Sequence, residues 1–192
     1  LRQPLEDGVI TVSRAARTVV YPADFMLVAS MNPCPCGYYG SSTHECSCTP
    51  AQIAKYLARL SGPLMDRIDL HISVDNVTYD DLSSDTLAES SESVRNRVNA
   101  ARRIQLERFS GTGVYSNSKM NALMIREYCK LDDESEKLLR LAFDKLKLSA
   151  RAYSRILKVA RTIADLEGSR DISSKHLSEA LTYRSMDRDY LI

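Results

Sequence analysis

Residues 25–31, FMLVASM, form an almost unbroken apolar run that ends on Asn32-Pro33. A run of this length without polar alternation predicts a strand covered on both faces, as in a parallel sheet sandwiched between helices. It makes the first part of the chain an α/β unit. Ligands of such sheets gather at the carboxyl ends of the strands, where Asn32 stands. DLHISV (69–74) reads as a second strand of this kind. Ahead of both, Asp7-Gly8 signals a turn, VITVSRA alternates, and VVY returns towards Pro22, which predicts a hairpin over 9–22 carrying Arg14 and Arg17. Thr49-Pro50-Ala51-Gln52 opens a helix with a cap, a proline at the first position and a capping box. Ile53, Tyr56, Leu57 and Leu60 share one face of it, and Gly62-Pro63 stops it.

At Asn76 the composition changes. The stretch 76–93 is rich in Ser and Asp and reads as a linker, and 94–192 reads as helical throughout. A first helix carries five arginines and one glutamate, with Val94, Val98, Ala101 and Ile104 as its apolar face. Helices follow over 122–129 and 134–146, then one capped by Ser149, running to Glu167 and ended by Gly168. The last starts at Ser173 or Ser174 and runs to about Tyr183. The fold class is therefore α/β followed by all-α, without an internal repeat. Lys plus Arg number 26 and Asp plus Glu 25, a net charge of +1, so only local patches can speak for a nucleic-acid partner. No run of about eighteen apolar residues predicts a membrane span, and no signal-peptide pattern is present. The opening LRQPLEDG reads as a piece of a longer, cytoplasmic protein.

Four of the five cysteines fall within fifteen positions, as Cys34-x-Cys36 and Cys46-x-Cys48. Four thiolates converging from two short loops suit Zn²⁺ in a closed tetrahedral site, and His44 offers an alternative ligand. Free thiols or a disulfide pair are the other readings of the same spacing. Cys129, with apolar neighbours, reads as a core thiol.

The blocks LRQPLEDGVITVSRA, FMLVASMNPCPCG, SGPLMDRIDLHI and SARAYSRILKVARTIADLEG, in this order, resemble the magnesium-chelatase-like AAA+ ATPases of the ComM (YifB) type. The resemblance implies that 1–75 is the C-terminal part of an AAA+ parallel-sheet core and 94–192 its helical lid. It also implies ATP and Mg²⁺ as cofactors, a homo-hexameric ring, and DNA as partner in branch migration or remodelling. The phosphate-binding loop and the acidic Mg²⁺-binding segment would lie upstream. No G-x-x-x-x-G-K-[ST] occurs in this chain, so by itself it is not expected to hydrolyse ATP.

By the same resemblance Asn32 is sensor 1, Arg67 in GPLMDRID is the arginine finger acting on the neighbouring subunit's nucleotide, and Arg151 is sensor 2 on the nucleotide phosphate. Each has a plainer alternative. Asn-Pro begins a turn well. Arg67 can form a surface ion pair with Asp66 or Asp69. Arg151 shares a helical face with Arg155 and Lys158, which read as solvated. Arg14, Arg17 and the Arg95–Arg108 helix are candidate DNA contacts, against a reading as a solvated surface. Two rival functions stay open: the ATPase subunit of a magnesium or cobalt chelatase, and a non-enzymatic zinc-stabilised binding module.

Overall fold

The computed structural model describes residues 2–14, 17–74, 77, 79, 83 and 88–184. They divide into two compact units. One is built on the residues up to Ile68, with 73 and 74; the other on Asp69–Ile72 and the residues from Val77 onward. Much of the expected 76–93 linker lies outside the described residues.

In the first unit, helix α1 (Arg2–Asp7) ends at Gly8, whose φ of +66° suits a glycine and whose N–H donates to the Pro4 carbonyl at 3.0 Å. Strands β1 (Val9–Arg14) and β2 (Arg17–Pro22) then pair antiparallel, the expected hairpin, in a register that sets Val12 opposite Val19 and Arg14 opposite Arg17. Gln3 ties α1 to β1 through Thr11. Thr49 caps helix α2 (Pro50–Leu57) with both bonds of its capping box: its hydroxyl accepts from the Gln52 N–H at 3.3 Å, and its own N–H donates to Gln52 Oε1 at 2.8 Å. The helix ends at Leu57, short of Leu60 and ahead of the expected stop, and Gly62-Pro63 instead starts a further single turn, α3 (Gly62–Met65), before Asp66 and Arg67.

No parallel sheet is present among the described residues, where the one sheet is the β1–β2 pair. Segments 25–31 and 69–74 form no strand, and their apolar side chains lie open: Met26 is 88 % exposed, Val28 85 % and Val74 86 %. Strand character is a property of a pair, and among the described residues no strand hydrogen-bonds to either segment. Cys34 is accordingly the one fully buried side chain among the described residues of the first unit.

The second unit is all helical: α4 (Ser91–Arg108), a 3₁₀ turn (Asn117–Lys119), α5 (Ala122–Tyr128), α6 (Asp133–Leu146), α7 (Ala150–Glu167) and α8 (Ser174–Thr182). Side chains of Ser90, Asn121, Asp132 and Ser149 cap four of these helices, and Gly168 ends α7 in the left-handed region at φ +72°. The core is built on Ala152, Ile156, Leu157, Ala160 and Ala164 of α7, with Phe109, Met120, Leu139 and Leu177 around them. Val94 and Val98, expected on the buried face of α4, stay exposed, because α4 is open along 91–100 and packs only from Ala101 onward. Tyr153, placed on the buried face of α7, instead lies partly open, edge-on to Phe143. Cys129 is a core thiol as expected, and burial pushes it up to about 11.

A buried ionic network closes this unit. Arg108, at the end of α4, forks onto the Asp165 carboxylate of α7 and also donates to Asn117 Oδ1 at 2.9 Å. Arg161 donates from Nε to the same carboxylate at 3.1 Å and reaches the carbonyls of Ser169 and Arg170. Asn117 Nδ2 donates to Asp165 at 2.8 Å and to Thr162 Oγ1 at 3.0 Å. Arg108 is therefore tied into this network rather than solvated. Asp165→Ala strands two guanidinium groups in the core and is expected to destabilise the unit by about 3–5 kcal/mol, read as a lowered denaturant midpoint in circular dichroism.

Candidate metal centre and its surroundings

The cysteine loop begins where the 25–31 segment ends. The Gly37 N–H donates to the Cys34 carbonyl at 3.1 Å, closing a turn around Pro35 that aims both sulfurs inward. The second pair comes back just before the Thr49 cap, so the rigid start of α2 fixes it. Between the two pairs the loop supports itself. Ser41 Oγ accepts from the backbone N–H groups of Thr43 and His44 at 3.2 and 3.3 Å, and Gly40 turns at φ +80°.

The four sulfurs converge. Sγ distances are 3.3 Å for Cys34–Cys36, 3.5 Å for Cys36–Cys46 and 3.7 Å for Cys34–Cys46, and all four lie within 4.8 Å of one another. Tetrahedral thiolates at a Zn–S length of about 2.3 Å would stand ~3.8 Å apart. None of the four is in a disulfide. His44 takes no part: it stacks on Tyr38 at 4.8 Å between ring centroids, with Nδ1 against Thr43 Oγ1.

Crowding splits the thiols. The backbone N–H of Tyr38 and then the Cys34 thiol bring Cys36 down to about 5. At Cys46 the backbone of Cys48 pulls the other way, but burial and the neighbouring sulfurs push the thiol up to about 12. Without a cation, four thiolates cannot share this volume; with one, they can.

The other predicted residues are placed as follows. Asn32 is exposed beside the cysteine turn. Arg67 is mostly buried and pairs with Glu6 of α1 and with the Pro63 carbonyl. Sequence reading missed Glu6 because 61 residues separate it from Arg67. Arg14 and Arg17 are exposed cross-strand partners at the loop end of the hairpin. Arg151 is exposed in the first turn of α7. Arg155 and Lys158, expected to be solvated, are engaged: Arg155 pairs with Asp69, and Lys158 donates to the Ser118 carbonyl at 2.8 Å. Burial lowers the Lys158 pKa. Of all these residues, the structure brings together the four cysteines with Asn32 beside them, and the two hairpin arginines.

Comparison with known proteins agrees with the sequence resemblance. Residues 1–82 match the family described as magnesium chelatase, subunit ChlI, and residues 88–184 match its C-terminal family. The chain is 49 % identical over 189 residues to the competence protein ComM of Haemophilus influenzae. It is 44 % identical over 193 residues to YifB of Escherichia coli and 42 % over 189 residues to YifB of Salmonella typhimurium. Each match covers 98 % of this chain and 36 % of the relative, so the chain spans about a third of those proteins. No helix among the described residues is long and apolar enough to cross a membrane. Matched along nearly its whole length, the chain belongs to the magnesium-chelatase ChlI-like family of AAA+-type ATPases, with ComM and YifB as relatives.

Proposed function

We propose that this chain is the nucleotide-sensing and DNA-handling part of a cytoplasmic, ATP-driven ring motor that remodels DNA, with the ring a homo-hexamer. In this reading 25–31 and 69–74 join a larger parallel sheet, with Asn32 as sensor 1 at one carboxyl end and Arg67 as the arginine finger. Arg151 is sensor 2. A cation in the first turn of a helix opposes the macrodipole, so its place there favours contact with an anion over helix stability.

The observation that carries the DNA reading is the hairpin tip. Arg14 and Arg17 are directly opposed across the strands, an arrangement that repels unless a polyanion is present. An adjacent DNA phosphate backbone supplies that charge. The match to chelatase-named families supports a second reading, an ATPase subunit serving a protein that carries a tetrapyrrole; the paired arginines favour DNA. Replacing both arginines with alanine should weaken DNA binding regardless of sequence. It should also flatten the slope of log K against log salt by roughly two, about one per lost phosphate contact. Fluorescence anisotropy over a salt series measures this, and an unchanged slope removes the hairpin from the DNA path.

We also propose that Cys34, Cys36, Cys46 and Cys48 hold one Zn²⁺ as a closed structural site. The converging sulfurs support it, and the loop they bracket lacks apolar residues to order itself otherwise.

A further inference from the structure

Asn32 stands two residues ahead of the first sulfur, and its carboxamide lies against the turn that the first two cysteines make. Asn32 Nδ2 is 3.9 Å from the point where a side chain on residue 37 would begin. Residue 37 is a glycine at φ +88°, which lets the turn close and leaves room for the amide. The turn is held by the bond from the Gly37 N–H to the Cys34 carbonyl at 3.1 Å and by the Tyr39 N–H donating to Cys34 Sγ at 3.3 Å. The 3.3 Å approach of the Cys34 and Cys36 sulfurs completes it. On its other side Asn32 is joined to a segment with no described pairing and with Met26, Val28 and Met31 exposed. The cysteine turn is the better-fixed surface next to this amide.

We propose that the four-sulfur cluster is the mount of Asn32: a divalent cation held by the four thiolates fixes the 34–37 turn, and the turn fixes the Asn32 carboxamide. Metal content then governs how well this amide is aimed at an anionic oxygen. The proposal rests on the metal-binding reading above and adds to it a positioning role for Gly37 and the first cysteine pair. That role is separate from whether Asn32 senses nucleotide.

The test uses ¹⁵N-labelled protein and two readouts. Co²⁺ added alone reports metal binding through its thiolate charge-transfer absorption. The side-chain NH₂ pair of Asn32, identified by its absence in Asn32→Ala, reports the amide's surroundings. With Zn²⁺ bound this pair is expected at a distinct, sharp position. A chelator should shift it to the position of a free amide, and restored zinc should bring it back. The Asn117 side-chain pair, locked by Thr162 and Asp165, serves as the unmoved reference. Absence of the cobalt band overturns both the metal site and the mount. A cobalt band with an Asn32 pair indifferent to metal overturns the mount alone. If the backbone amides of β1 and β2 collapse together with Asn32, the metal holds the whole unit and the specific mount is likewise overturned.

Discussion

Protein purified without chelator is expected to carry about one zinc per chain, and Cys34→Ser or Cys46→Ser to lose it together with the order of residues 33–49. A structural zinc site contributes about 10–16 kcal/mol of apparent binding energy at neutral pH, nearly all of which doubles as folding energy of the loop it closes. The first unit has little apolar burial to replace it, because Cys34 is the one fully buried side chain among its described residues. The hairpin does not draw on that energy. Its cross-strand register and the Ser13–Thr18 hydroxyl contact at 2.9 Å are local, so its amides should survive the substitution. Acidification should release the metal, since protons compete for the thiolates. Elemental analysis with hydrogen exchange checks both points. A loop that stays protected in metal-free protein would show that the sulfurs meet for another reason.

In the assembled ATPase, Arg67→Ala is expected to reduce ATP turnover by about 10³–10⁵-fold while leaving ATP affinity nearly unchanged, since a finger acts on charge that develops only in the transition state. Mixing this variant with one disabled in its phosphate-binding loop should restore part of the activity at shared interfaces. The ion pair with Glu6 sharpens the test. If Arg67 serves only to tie α3 to α1, Glu6→Gln and Arg67→Ala should lower stability alike and leave turnover per folded subunit intact. If it is the finger, Glu6→Gln releases the guanidinium and keeps turnover, and only Arg67→Ala abolishes it. Equal kinetic loss in the two variants would sink the assignment.

What the sequence made legible was local. The Thr49-Pro50-Ala51-Gln52 cap, the Ser149 cap, the Gly168 stop and the 9–22 hairpin all appear as read, since each depends on residues within a few positions of one another. The cysteine pairs also converge, because two short turns suffice to aim them. What failed depended on distant partners. The apolar run 25–31 reads as a strand buried on both faces, yet it is exposed and forms no strand here, and no residue in it shows which strands would have to flank it. Arg108 looks like one more cation on a basic helix, and only a carboxylate 57 residues away ties it into the buried network. Likewise nothing near Arg67 in the sequence shows that Glu6, 61 residues away, pairs with it.

The same distant carboxylate gives α7 a mechanical character. Arg151 stands at one end of this helix and Asp165 near the other, separated by roughly 21 Å of uninterrupted backbone. At the far end Asp165 is clamped to Arg108, Asn117 and Arg161, so α4, the 3₁₀ turn and α7 share one rigid joint. A tilt of about 10° imposed at Arg151 carries that joint through roughly 4 Å of arc. Arg108, Asn117 and Arg161 are each bonded to the same carboxylate, so a movement of α7 at Asp165 would be shared with α4 and the 3₁₀ turn. The exposed stretch 91–100 of α4 projects beyond that joint, which makes it the arm of a lever whose fulcrum is Asp165.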